Sequence, residues 1–155
     1  MDFGLQALKS IVGPDWSVVE TQKRRYEEWM NESREIRDAD ISDDEKRKRT
    51  AALGQKPKDP AAIAAALAIA ELGRAHEKGR QAAEFLIYPG AGKTSPEVAL
   101  MAARSLFEHF PDYGPLPFVL MSLGFERFGP RESVDAFFAD VAANANNPVV
   151  VATAR

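Results

Sequence analysis

Residues Asp59–Tyr88 read DPAAIAAALAIAELGRAHEKGRQAAEFLIY, and the fold class turns on this stretch. Asp59 offers a side-chain acceptor for an N-cap. Pro60 takes the first helical position, where its missing N–H is no loss and its fixed φ suits the helix. Ile63, Leu67 and Ala70 recur at helical spacing, and Ile69 and Leu72 widen the apolar face. Gly79 separates this run from a second, in which Ala82, Ala83, Phe85 and Leu86 continue the pattern. Alanine leaves little side chain between neighbours, so the stretch predicts a helical hairpin whose two members approach closely.

Composition sets the outer limits. A chain of 155 residues is the size of one domain and can bury a core. A hydrophobic share of 45% with 28% charged residues lies in the globular range. The net charge of −3 argues against a nucleic-acid binder that works through bulk electrostatics. With no cysteine, the chain holds no disulfide, thiolate metal site or redox dithiol of its own. No apolar run approaches the roughly 18 residues a membrane span needs, so no membrane insertion is expected. The opening MDFGLQALKSIVGPDW lacks the basic-then-apolar order of a signal peptide.

Before the hairpin, Met1–Val12 reads as a short amphipathic turn or helix closed by Gly13-Pro14. Asp15 or Ser17 then caps a long helix to about Arg37. Its seam is Val19, Tyr26, Trp29 and Ile36, with Gln22 and Ser33 at the intermediate positions. Two polar positions in six over fewer than three heptads predict a helix packing one edge on a neighbour, not a coiled coil. Ser42 with Glu45 forms a capping-box pattern, and Asp43 and Asp44 suit the start of a helix that ends at Gly54. Residues 15–54 are therefore expected as a long helical hairpin.

Beyond it, Ser95-Pro96-Glu97 opens a helix to about Phe110, and three prolines stiffen the connector Pro111–Pro117. Leu116–Phe128 reads as a buried helix. In Arg131–Asn144, Val134, Phe137, Phe138, Val141 and Ala142 repeat at helical spacing. Pro148–Arg155 reads as a last, very short helix, marginal alone and composed of poor formers. It reads as a helix cut short of its natural continuation. Phe85–Tyr88 and Val149–Val151 are the only strand candidates, too few for a sheet.

Several motifs suggest chemistry. Gly90-Ala-Gly92-Lys93-Thr94 supplies the end of a phosphate-binding loop, whose backbone N–H groups wrap phosphates while Lys and a hydroxyl reach phosphate and metal. The first glycine of that pattern would fall at Ile87, a β-branched residue unsuited to the turn. Gly90, Gly92, Lys93 and Thr94 thus read as a glycine-rich connector, with nucleotide binding the alternative. Asp38, Asp40, Ser42 and Asp44 resemble the start of a calcium loop, but Asp43 and Arg49 stand where glycine and a bidentate glutamate are needed. His76 and His109 adjoin Glu77 and Glu108, and adjacent helical residues point about 100° apart, so neither pair chelates. The basic runs Lys23–Arg25 and Lys46–Arg49 interleave with acids and read as solvated faces. No catalytic residue, metal site or cofactor is assigned.

Two resemblances follow from order and spacing. Leu72-Gly73-x-x-His76 with Gly79-Arg80 and Ala83 resembles a tetratricopeptide unit, which uses a small residue where its helices cross. Helix pairs then recur at about 35-residue intervals. More broadly, YEEWMNESREIRDADISDDEKRKR, the KPKDPAA linker, the Ala-rich helix and GPRESVDAFFADVAANANNPVVVATAR resemble the helical region that precedes the thioredoxin-fold domain in bacterial redoxin (TlpA-like) proteins. This resemblance implies an accessory domain beside a thiol-disulfide centre, with no catalytic residue carried over.

The reading is an all-α fold of about six or seven helices in an irregular antiparallel, tetratricopeptide-like solenoid. Residues 1–155 form a single helical domain, with 59–155 as the repeat region. The expected function is a non-catalytic scaffold or interaction module. Its partner would be a protein, a peptide or an adjacent thioredoxin-like domain, and not nucleic acid. A stand-alone peptide-binding adaptor and a nucleotide-binding protein using Gly92-Lys93-Thr94 are the alternatives. The compartment is cytoplasmic if Met1 is the native start, and cell envelope or exported if the chain is a redoxin fragment.

Overall fold

The structure, a computed structural model, describes residues 3–88, 90, 92, 95–125, 131–145 and 148–155. Its helices are α1 (Phe3–Val12), α2 (Trp16–Asp38), α3 (Asp43–Leu53), α4 (Pro60–Leu72), α5 (Gly79–Ile87), α6 (Pro96–His109), α7 (Leu116–Phe125), α8 (Arg131–Asn144) and α9 (Pro148–Ala154), with a 3-10 turn at Gly73–Ala75. The fold is all-helical. No strand occurs among the described residues; of the two strand candidates, Phe85–Tyr88 falls on the end of α5 and its C-cap, and Val149–Val151 lies in α9.

The caps act where the sequence places them. Asp15 accepts from the Ser17 N–H at 3.0 Å, Asp59 from Ala61 at 2.9 Å and Ser95 from Val98 at 3.4 Å. Ser42 accepts from Glu45 at 3.3 Å, while the Glu45 carboxylate takes a bond from Arg49 Nε at 3.1 Å. Each cap satisfies a backbone donor that a helix start otherwise leaves open.

The centre of the molecule is α4, which packs against α1, α2, α5 and α6. Ala62–Leu67, Ile69 and Ala70 are all buried in it. A helix apolar nearly all round must be covered on every side. Its alanines let four neighbours close in, while Leu67 and Ile69 each contribute about 1.5–3 kcal/mol of burial. The core continues through Leu86 of α5, Leu106 of α6, Leu116 and Val119 of α7, and Phe137 and Val141 of α8.

The described residues hold nine α-helices, more than the six or seven expected. The surplus lies at the two ends, where short segments gain stability from packing rather than propensity. In α1, Leu5 and Val12 pack on the core, and Lys9 Nζ pairs with both Glu71 carboxylate oxygens at 2.9 and 2.8 Å. In α9, Val150 and Ala154 are buried, and the helix lies against α7 and α8. α7 is described as far as Phe125, and its expected continuation to Phe128 lies outside the described residues.

The hairpin turn sits earlier than the sequence suggests. Gly73, at φ +54°, terminates α4, and Gly79 is the first residue of α5 rather than the break itself. His76 Nδ1 accepts the Lys78 N–H at 3.0 Å and completes the turn.

α2 and α3 leave the core as an antiparallel arm. Val19 and Gln22 are buried where α2 crosses α4, while Tyr26, Trp29, Ser33 and Ile36 are half-buried. α3 packs on α2 and buries no residue. Trp29 Nε1 donates to the Gly54 carbonyl at 3.2 Å, and Lys46 Nζ to the Arg37 carbonyl at 2.9 Å, closing both ends of the arm.

Candidate functional site

Of the glycine-rich loop, Gly90 and Gly92 are among the described residues, and both lie against neighbours. A Cβ on Gly92, which is buried, would collide with the Phe85 carbonyl and ring, and one on Gly90 would reach Tyr26 at 3.9 Å. The loop follows a helix, α5, where a phosphate-binding loop follows a strand. Lys93 and Thr94 lie outside the described residues.

The other motifs disperse into local structure. Asp38 accepts from Arg37 at 3.0 Å, which holds its carboxyl below the usual range, and Ser42 is committed to its cap. The arm's basic runs meet acids or rings: Arg49 pairs with Glu45, Arg47 lies 3.7 Å from Asp44, and Lys23 sits 5.8 Å from the Trp16 ring centroid. His109 closes against Gly73 at the α4 terminus. Among the described residues no group of three or more His, Asp or Glu could hold a metal ion. No described helix is long and apolar enough to cross a membrane.

A different set of residues forms a cleft of about 410 Å³ between the α4–α5 turn and the α6–α7 connector. Arg74 and Glu77 come from the turn, Arg80 and Gln81 from the first turn of α5, and Phe110, Asp112, Tyr113 and Gly114 from the connector. Arg74 is the organising residue. Its Nε donates to the His109 carbonyl at 2.6 Å, Nη2 donates to Asp112 at 2.9 Å, and the guanidinium lies 5.2 Å from the Phe110 ring centroid. A cation on the last carbonyl of α6 also suits the negative end of that helix.

The second guanidinium, Arg80, stands 5.7 Å from the Tyr113 ring centroid and 3.6 Å from Glu84. Arg80, Glu84 and Tyr88 recur every four residues and form one stripe along α5. Burial, reinforced by hydrogen bonding with Glu84 and Tyr88, pushes the Tyr113 phenol well above its ordinary range. The phenol, neutral at physiological pH even without this shift, keeps its proton further into the alkaline range and serves as a hydrogen-bonding group.

From Tyr88 the surface continues onto α7, where the rings of Tyr88 and Phe118 are 6.3 Å apart. Phe118 is 59% exposed and Met121 50% exposed, on a helix whose sequence LPFVLMSLGF contains no charge. The cleft and this apolar face adjoin through Tyr113 and Tyr88.

Arg74, Asp112 and Tyr113 carry no motif of their own, because each is an ordinary residue in a turn or connector. The available signal was the Arg80–Glu84–Tyr88 stripe, with an aromatic and an acid packed into Pro111–Pro117. No family model, no curated protein and no solved structure matches the chain.

Proposed function

We propose that the protein is a non-catalytic helical interaction module that receives a protein or peptide partner along the surface from the Arg74–Arg80 cleft to the outer face of α7. The observation that carries this reading is the exposure of Phe118 and Met121 beside Tyr88. Contiguous exposed apolar side chains mark interaction sites, and Tyr, Arg, Phe and Met are enriched at interface cores. The sequence resemblance to helical regions beside thioredoxin-fold domains makes an adjacent domain of that type one candidate partner, and a free peptide the other. A tetratricopeptide-like succession of helix pairs belongs to the same reading.

The test is peptide display selection on the immobilised protein, with the double variant Phe118→Gln, Met121→Gln as counter-target. A convergent peptide family is expected that binds the parent and binds the variant at least about tenfold more weakly, a loss of about 1.4 kcal/mol. Both proteins should share one melting temperature. No enrichment, or equal binding to both, overturns the proposal.

A further inference from the structure

We infer that the cleft between the α4–α5 turn and the α6–α7 connector is a carboxylate-binding site, with Arg74 and Arg80 as donors and Asp112 as a resident competitor. The inference rests on the interaction-module reading and names the chemistry of one part of that surface. Arg74 is fixed in place from three directions: by the His109 carbonyl, by Asp112 and by the Phe110 ring. Its Nε and Nη2 each make one bond, and a guanidinium carries five N–H donors in a rigid fork. Arg80 presents a second fork, stacked near Tyr113 and only loosely paired with Glu84 at 3.6 Å. Two guanidiniums, 5.2 and 5.7 Å from ring centroids on one small cleft, present forked donors that favour a planar anion able to accept two bonds at once.

The lining also carries two acids, Glu77 and Asp112, so the site is not cationic overall. The two signs are held differently. The Arg74–Asp112 pair has side chains 62% and 80% exposed, and an ion pair that open to water is worth ~0–1 kcal/mol. Arg74 keeps its backbone and ring anchors when Asp112 leaves. Asp112 therefore shows where a carboxylate sits on Arg74, and it is weakly enough held for an incoming carboxylate to replace it. The volume of about 410 Å³ lies in the range of small-ligand sites and leaves room for a carboxylate together with the peptide groups next to it. The incoming group is an acidic side chain or the C-terminal carboxylate of a peptide, and the two sources share this chemistry.

The experiment follows arginine Nε–Hε and backbone resonances in ¹H–¹⁵N spectra. Ac-Gly-Glu-Gly-NH2 is the side-chain probe, Ac-Gly-Gly-OH the chain-end probe and Ac-Gly-Gln-Gly-NH2 the neutral control. Saturable shifts at Arg74, Arg80 and Tyr113 are expected with one or both carboxylate probes and not with the glutamine peptide, and the better probe identifies the source. Arg80→Gln, at a half-exposed position, should weaken binding about tenfold with the melting temperature unchanged. Asp112→Asn should tighten it up to about fivefold, because the competitor is gone.

Absence of saturable shifts, equal response to the glutamine peptide, or weaker binding by Asp112→Asn overturns the site. Weaker binding by that variant would mean that Asp112 holds Arg74 in its binding position rather than competing for it. The Phe118→Gln, Met121→Gln variant should titrate with these probes as the parent does, so failure of the display selection and failure of the carboxylate site are separate results.

Discussion

Gly73 and Gly79 face each other across the α4–α5 turn so closely that a Cβ on Gly79 would overlap the Gly73 carbonyl oxygen. The same turn brings the His109 ring against Gly73, which also occupies positive φ. Two glycines thus set how near α5 and α6 approach the end of α4. Gly79→Ala must push the turn open, and overpacking of this kind costs about 1–3 kcal/mol. In a chain of this size each kcal/mol lowers Tm by roughly 2–4 °C. Calorimetry should therefore show a drop of several degrees. Gly114→Ala is the control, since a Cβ there meets nothing within 4 Å. Equal Tm values for the two variants would contradict the packing account.

Gln22 ties the arm to the linker before α4. It is buried, and its Nε2 donates to the Pro57 carbonyl at 2.9 Å across 35 residues of chain. Truncation to alanine leaves a void and takes the donor from a carbonyl at the edge of the core. Gln22→Ala should cost about 1–3 kcal/mol. Ser33→Ala, further out on the same seam and half-buried, should stay within about 0.5 kcal/mol. Urea unfolding of the two variants measures the difference, and comparable midpoints would remove Gln22 from the core.

The all-helical class was legible because local signals agree with one another. Asp59-Pro60, Ser42 and Ser95-Pro96 each cap the helix they announce, and the alanines of α4 mark the element that α1, α2, α5 and α6 pack on. Gln22 was not legible as core, because a polar residue on a seam looks the same whether it faces water or a buried carbonyl. The firmness of α1 and α9 was hidden for a related reason, since contacts distant in sequence hold both. The cleft was the least visible feature. Arg74 and Asp112 stand 38 residues apart, and nothing in either neighbourhood announces that the turn and the connector meet.

The arm should be the least protected helical part of the early chain. Among its ion pairs, Arg47–Asp44 and Arg49–Glu45 are solvent-exposed, and α3 buries no residue. Local opening therefore costs little there and much more in α4. Hydrogen exchange should release α3 amides well before those of Ala62–Ala70. Ser42→Ala removes the Glu45 cap and should speed α3 exchange about fivefold, for a loss near 1 kcal/mol, with global Tm unchanged. A large Tm change would mean that α3 is part of the cooperative core.

Tyr113 gives the cleft an alkaline signature. Its pKa is raised above the ordinary 10.0, first by burial and then by hydrogen bonding with Glu84 and Tyr88. A raised folded-state pKa means that the folded chain holds the proton more tightly than the unfolded chain. The contribution is therefore fully present below about pH 10 and is lost as pH rises beyond it, as the unfolded phenol ionises first. Tyr113→Phe removes both the hydroxyl's bonds and this linkage. At pH 7 the variant should be less stable by about 0.5–1.5 kcal/mol. Between pH 10 and 12 the gap to the parent should narrow, because only the parent loses this term. Melting curves across that range test the sign, and phenolate absorbance should show a late-titrating tyrosine in the parent that the variant lacks. A gap that stays constant to pH 12 would show that Tyr113 is not held by the surroundings described for it.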